Sequence, residues 1–198
     1  MMNRLFSRLF APRQPQIPYD AELAGPELLL RRPTEADWPH WHYMRSISQQ
    51  HLRPWEPRWP RNALTGGYYR SLLRRQRRDW RRGKGYAFSI FLRAEPPILV
   101  GGITLGDVRL AASQKGTIGY WIGQPYAGCG YMTEALGLVC DFAFKELGLK
   151  RLEASCLPSN EPSKAVLRNA GFEQEGYAKA YLEINGKRED HILWGKTP

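Results

Sequence analysis

The chain has 198 residues, 42% of them hydrophobic and 24% charged, which suits one folded domain with a full core. No apolar run approaches the ~18 residues of a membrane-spanning helix, and the three cysteines, Cys129, Cys140 and Cys156, show no pair spacing, which argues against a disulfide framework or a zinc pattern and for a reducing, cytoplasmic setting. The formal net charge of +10 favours anionic partners such as nucleic acid, a membrane surface or a phosphorylated ligand.

Residues 1–24 read as a basic N-terminal tail, with three arginines and no acid in its first 19 positions and Leu5, Phe6, Leu9 and Phe10 at helical spacing. An organelle-targeting peptide has such a pattern, but so does a frayed tail that packs a few apolar residues locally. Residues 25–198 read as a single α/β domain. "PELLLRRP" (26–33) is a first strand, and Thr34 or Asp37, at capping-box spacing, starts a helix to about Ser48. A proline-rich loop with Trp55 and Trp59 follows, then a basic helix over 68–82. "GYAFSIFL", "ILVGGITLGDV" and "KGTIGYWIGQ" (85–92, 98–108, 115–124) predict an antiparallel meander.

Beyond the meander, Met132, Ala135, Leu136, Val139, Ala143 and Leu147 recur at helical spacing until Gly148. "RLEASCL" (151–157) is a strand. Asn160 caps a short helix with Pro162 in its first turn and Gly171 at its end. Asn185-Gly186 between two strand-like runs predicts a hairpin, because a type I′ turn needs two residues at positive φ.

The strand–glycine–helix junction "GYWIGQPYAGCGYMTEAL" (119–136) carries the chemistry. Gly128 and Gly130 let backbone approach a ligand closely, and the free N–H groups at the helix start form an anion site suited to pyrophosphate. A tight strand–helix turn without a ligand has the same pattern. Gly128-x-Gly130-x-x-Thr133 with Glu153 downstream superficially matches a dinucleotide fingerprint, but a meander, not a βαβ start, precedes it.

This junction, the "N-x-x-S" helix start at Asn160, "A-G-F-x-x-E-G-Y-A-K", "N-G-x-x-x-D-H" and upstream "HLRPWEP" (51–57) occur in the order seen in the GNAT acyltransferases. Within them the chain resembles the RimJ/RimL type, which acetylates ribosomal-protein N-termini. The resemblance covers most of residues 26–196. It implies a GNAT fold with a mixed, mostly antiparallel central sheet flanked by helices, and acetyl-CoA as donor without a metal. It also implies pantetheine contacts from Trp121, Ile122, Gly123 and Asn160, and a pyrophosphate cradle of Gly128, Cys129, Gly130, Tyr131, Met132 and Thr133. Ser163 falls near the thioester sulfur. The chain departs from the superfamily pattern at Ala127, where Arg or Gln is common, and at Met132, where Gly or Ala is common. The usual tyrosine acid aligns with Leu167, and a glutamate base with Ser155.

An amine must be neutral to attack a thioester. At pH ~7.5 deprotonation costs about 0.6 kcal/mol for an α-amino group and about 4 kcal/mol for lysine. The lack of an obvious base therefore suits an N-terminal acceptor. Ser163 is the expected proton donor to the thiolate or a water-positioning group. Glu56 is the candidate to bind the incoming ammonium and relay its proton, a solvated loop carboxylate being the alternative, while Asp190 and His191 could shape the acceptor cleft. Glu134, in the helix's first turn, is expected to bond backbone or face away from the phosphates. A small-molecule amine acetyltransferase of the same fold is one alternative. Another is an RNA- or ribosome-binding module without catalysis, docking through Arg74, Arg75, Arg77, Arg78, Arg81 and Arg82 with Trp80 among them.

Overall fold

A computed structural model describes residues 17–198; the targeting-type pattern at residues 1–16 lies outside the described residues. Among the described residues, eight strands form one sheet: β1 (Glu22–Ala24), β2 (Leu28–Arg31), β3 (Tyr86–Leu92), β4 (Ile98–Arg109), β5 (Lys115–Ile122), β6 (Arg151–Cys156), β7 (Glu173–Ile184) and β8 (Lys187–Lys196). Their order is β1-β2-β3-β4-β5-β6-β8-β7. Every pair is antiparallel except β5–β6. The helices are α1 (Trp38–Ile47), α2 (Gln49–Leu52), α3 (Gly66–Arg81), α4 (Tyr131–Asp141) and α5 (Glu161–Asn169).

Most elements begin where the residues dictate. Before α1, Thr34 and Asp37 form a capping box around a 3₁₀ turn, and Pro39 stands in the helix's first turn. The Asp37 carboxylate also takes a bidentate pair from Arg31 on β2 at 2.6 and 2.9 Å. Burial pushes this carboxyl up, but the Arg31 and Thr34 hydrogen bonds outweigh it and hold it below the ordinary range. Asn185 and Gly186 both take positive φ, 47° and 86°, as the hairpin between β7 and β8 requires.

Three elements depart from the sequence pattern. Residues 22–24 pair with β2 and extend the sheet into the stretch read as tail. The proline-rich loop opens with α2 and a 3₁₀ turn at Arg53–Trp55. The regular α-helix after the glycine turn ends at Asp141, and Phe142–Glu146 continue as π-helix. The apolar stripe persists through this widened turn because Phe142, Ala143 and Leu147 stay buried.

The larger core lies between the sheet and α4 and α5, with Leu136, Val139, Leu152 and Leu167 fully covered. Truncating such a leucine to alanine costs about 2–5 kcal/mol. A second cluster of Trp41, Met44, Tyr69, Phe91 and Leu99 sits under α1 and the start of α3. Alternation along β5 sends Tyr120 toward the first cluster and Trp121 toward the second.

Candidate active site

The parallel pairing of β5 with β6 lasts only three positions, Lys115–Thr117 against Arg151–Glu153. The closed end is tied by Lys115 Nζ to Glu153 at 2.6 Å and by the Lys150 amide to Gln114 O at 2.7 Å. Beyond it β6 pairs only with β8, through Ala154, Ser155 and Cys156. The two strands therefore splay, and a cleft of about 1110 Å³ runs through the gap. Its walls include β5, β6, the glycine turn and α5, with Trp55 and Glu56 from the proline-rich loop and Glu183 and His191 from the last hairpin. Glu153 is spent on Lys115 and Arg151 at this closed end, so it is not a ribose-binding acid.

At one end of the cleft Gly128 and Gly130 take φ of 79° and 84°. None of the amides from Gly128 to Met132 has a hydrogen-bond partner among the described residues. Five adjacent unpaired N–H groups at the positive end of α4 could hold an anion such as a phosphate chain. The Thr133 amide, expected to join them, instead donates to Gly130 O at 3.0 Å, though Thr133 still lines the cleft. Glu134 turns away, accepting from the Glu27 and Leu28 amides at 3.1 Å each. Its charge therefore ties α4 to β2 and leaves the cradle free of an acid.

Trp121, Ile122, Gly128, Gly130, Tyr131, Met132, Thr133, Asn160 and Ser163 all line the cleft. Gly123 and Cys129 do not. Gly123 donates to Val100 O at 2.7 Å and accepts from the Tyr126 amide, and a Cβ there would come within 2.2 Å of Met44 Sδ. It is a packing glycine rather than a pantetheine contact. The exposed Cys129 side chain turns back toward Ala127 O. Asn160 Oδ1 caps α5 by accepting from the Ser163 amide at 3.1 Å, so its Nδ2 is the group left for a ligand.

Ser163 Oγ stands 2.8 Å from the Tyr120 hydroxyl, and either can donate. Tyr120 reaches it from β5, so this bond spans the gap. Burial pushes the Tyr120 phenol up to about 12, despite the opposing hydrogen bond from Ser163. Cys156 lies beside them, but burial raises its thiol too, which makes it a poor nucleophile.

The acceptor end departs from expectation at Glu56. Its two oxygens take both terminal nitrogens of Arg45 at 2.7 and 2.6 Å, and Trp59 Nε1 donates to Oε2 at 2.6 Å. Arg45 itself lies 4.2 Å from the Trp59 ring and 4.9 Å from that of Trp121. Glu56 thus holds a guanidinium–tryptophan stack together, and binding an ammonium would compete with that stack. Of the two loop tryptophans, Trp59 is the anchor and Trp55 the cleft wall.

His191, expected with Asp190 to shape the acceptor cleft, is 2% exposed. Its Nδ1 lies 3.0 Å from Glu189 O. A carbonyl only accepts, so Nδ1 carries a proton, and in the neutral ring Nε2 is the nitrogen with the lone pair. Nε2 has no hydrogen-bond partner among the described residues, and the ring lines the cleft. Alternation on β8 puts Ile192 and Trp194 into the core beneath α5 and His191 on the opposite face. Ser163 and His191 therefore meet the gap from opposite sides. Only the pairing of β8 with β6 brings them to one cleft, which is why sequence spacing could not reveal it. Tyr120 was equally hidden, inside a strand pattern.

Residues 27–173 match the acetyltransferase (GNAT) domain family. The chain is 32% identical over 146 residues to the [ribosomal protein uS5]-alanine N-acetyltransferase of Escherichia coli, a match covering 74% of this chain and 75% of that protein. It is 43% identical over 106 residues to the probable N-acetyltransferase YjcK of Bacillus subtilis, covering 54% of this chain but only 58% of YjcK. Among solved structures, Mycobacterium smegmatis RimJ in complex with CoA-disulfide superposes with a TM-score of 0.82 at 34% identity, over 90% of this chain and 86% of that one. The ribosomal-protein-S5-alanine acetyltransferase of Vibrio fischeri gives 0.83 at 28% identity, over 90% and 97%.

Proposed function

Because the chain belongs to the GNAT acetyltransferases, and within them to the RimJ/RimL type, we propose that it transfers an acetyl group from acetyl-CoA to an N-terminal α-amino group, that of a ribosomal protein. The observation that carries this reading is the single cleft that joins the unpaired amides at the start of α4 to the His191 imidazole through the gap between β5 and β6. Acetyl-CoA supplies the thioester whose carbonyl is attacked. The amides of Gly128 to Met132 hold its pyrophosphate, and Trp121, Ile122 and Asn160 Nδ2 hold the pantetheine arm.

His191 Nε2 takes a proton from the acceptor ammonium. As the C–N bond forms and the C–S bond breaks, Ser163 Oγ–H points at the departing sulfur with Tyr120 behind it. Magnitude decides what this pair does. Full transfer from a phenol near 12 to a thiolate of pKa ~8.5 is uphill by about 5 kcal/mol. The pair therefore stabilises the sulfur by a hydrogen bond, and the proton it finally keeps comes from the attacking nitrogen, with one net proton released to solvent. Glu183 on the rim gives the acceptor end a negative charge suited to an ammonium. Arg45 and Glu56 brace the wall that Trp55 completes.

The test is thiol release from acetyl-CoA with peptides beginning Ala, Ser or Met, beside the same peptides with a blocked N-terminus and a free lysine. Release with free N-termini alone supports the proposal. Release from the blocked, lysine-bearing peptides moves the activity to side chains. No release with any peptide overturns the peptide acceptor.

A further inference from the structure

Helix α3 carries a charge pattern that neither the fold nor the reaction uses. Tyr69 and Trp80 bury one side of it, with Leu72 and Leu73 packed alongside. Arg70, Arg74, Arg75, Arg77, Arg78 and Arg81 are all exposed. Between Arg70 and Lys84 there are eight basic residues and one acid, so this short stretch supplies seven of the chain's ten net positive charges. Arg78 has a loose 3.7 Å contact with Asp79, the one acid there. Arg70, Arg74, Arg75, Arg77 and Arg81 have no carboxylate partner among the described residues.

Arg70, Arg74, Arg77 and Arg81 follow each other at four, three and four residues, which puts them in one row along the helix. At 1.5 Å per residue the row is about 16 Å long. Like charges at such spacings destabilise a helix, and one glutamate per turn would relieve them. A local rule broken this consistently on an exposed face points outside the fold. Some cations elsewhere on the molecule do find a carboxylate: Lys145 pairs with Asp141, Lys164 with Glu161 and Lys115 with Glu153.

We infer that the arginine row of α3 docks on the phosphate backbone of duplex RNA while the cleft works on a nearby protein N-terminus. The row matches a polyanion with regularly spaced charges, and arginine's forked guanidinium suits phosphate oxygens. The choice of RNA over other polyanions rests on the proposed ribosomal-protein acceptor, whose surroundings are RNA. Trp80 takes no part. It is 6% exposed and packs edge-on against Tyr19, Tyr86 and Phe88, so it offers no free face for a base to stack on. Recognition is therefore of backbone and shape, without sequence preference.

The experiment measures binding of the whole protein to a fluorescein-labelled RNA duplex of ~20 base pairs across a KCl series. Replacing Arg70, Arg74, Arg77 and Arg81 together by Gln, a good helix former, should weaken binding at about 100 mM KCl at least tenfold and reduce the slope of log K against log salt by about three. The pair R74Q/R81Q should give about half that change, and it serves if the fourfold variant does not fold. Acetylation of a free peptide should not change in either. A control that replaces Arg93, Lys145, Lys150 and Arg168 removes the same charge elsewhere and should bind within about twofold of the parent. Equal loss in the control, an unchanged slope in the α3 variants, or arginine-dependent binding to phosphatidylserine vesicles with none to RNA would overturn the inference. Peptide acetylation is read separately, so a failure of the acceptor assignment stays distinguishable from a failure of docking.

Discussion

The Tyr120 hydroxyl and Ser163 Oγ stand 2.8 Å apart across the opening between β5 and α5. With the phenol pushed up to about 12, Tyr120 stays neutral at working pH and orients Ser163 rather than supplying a proton. S163A is expected to lower kcat about tenfold or more with little change in peptide KM, and Y120F by a smaller factor. The double variant should lose little beyond S163A, because both act through one hydrogen bond. Steady-state kinetics of the three variants checks this, and additive losses would separate the two roles.

His191 offers its Nε2 lone pair because Glu189 O accepts from Nδ1–H. H191Q is expected to reduce kcat/KM for a free N-terminal peptide about 10- to 100-fold near neutral pH. The deficit should narrow as pH rises above the acceptor's own pKa of about 7.8, since the amine then arrives neutral. A merely structural role would lower the rate equally at every pH, so the pH profile of the ratio between parent and variant is the measurement to make.

Gly130 holds a φ of 84° at the entrance to α4. Alanine there has open space for its Cβ but carries a left-handed penalty of about 1–2 kcal/mol. G130A is expected to rotate the unpaired amides out of line and to raise the KM for acetyl-CoA about tenfold, with peptide KM nearly unchanged. Calorimetry with CoA reads the same loss without turnover.

Asp37 is 4% exposed and its carboxyl is held below the usual range against the opposing pull of burial. A depressed carboxyl contributes stability that is present above its unfolded pKa of about 3.9 and is lost as pH falls through the lower folded value. D37N is expected to cost about 2 kcal/mol between pH 5 and 8, since Arg31 keeps partial solvent contact and softens the loss of a buried pair. Below about pH 4 the variant and parent curves should converge. Urea melts across pH test the sign as well as the size.

By itself the sequence determined most of the elements and the glycine turn at the start of α4. Helical and alternating periodicity, the Thr34–Asp37 box, the Asn160 cap and the Asn185-Gly186 turn act over a few residues, and their physics is local. The glycine turn belongs to the same class, because two positive φ values at a helix start leave the turn's amides unpaired by local geometry alone. Only the tertiary structure decided the acceptor end. Glu56 looked available until Arg45, eleven residues earlier, took both its oxygens. Gly123 looked like a ligand contact until Met44 and Val100 closed on it. His191 was a candidate for the cleft wall, but its place there was fixed only when β8 paired with β6. Each of these depends on which groups from other elements satisfy a polar atom or fill a space, and that is settled by packing between elements rather than within them.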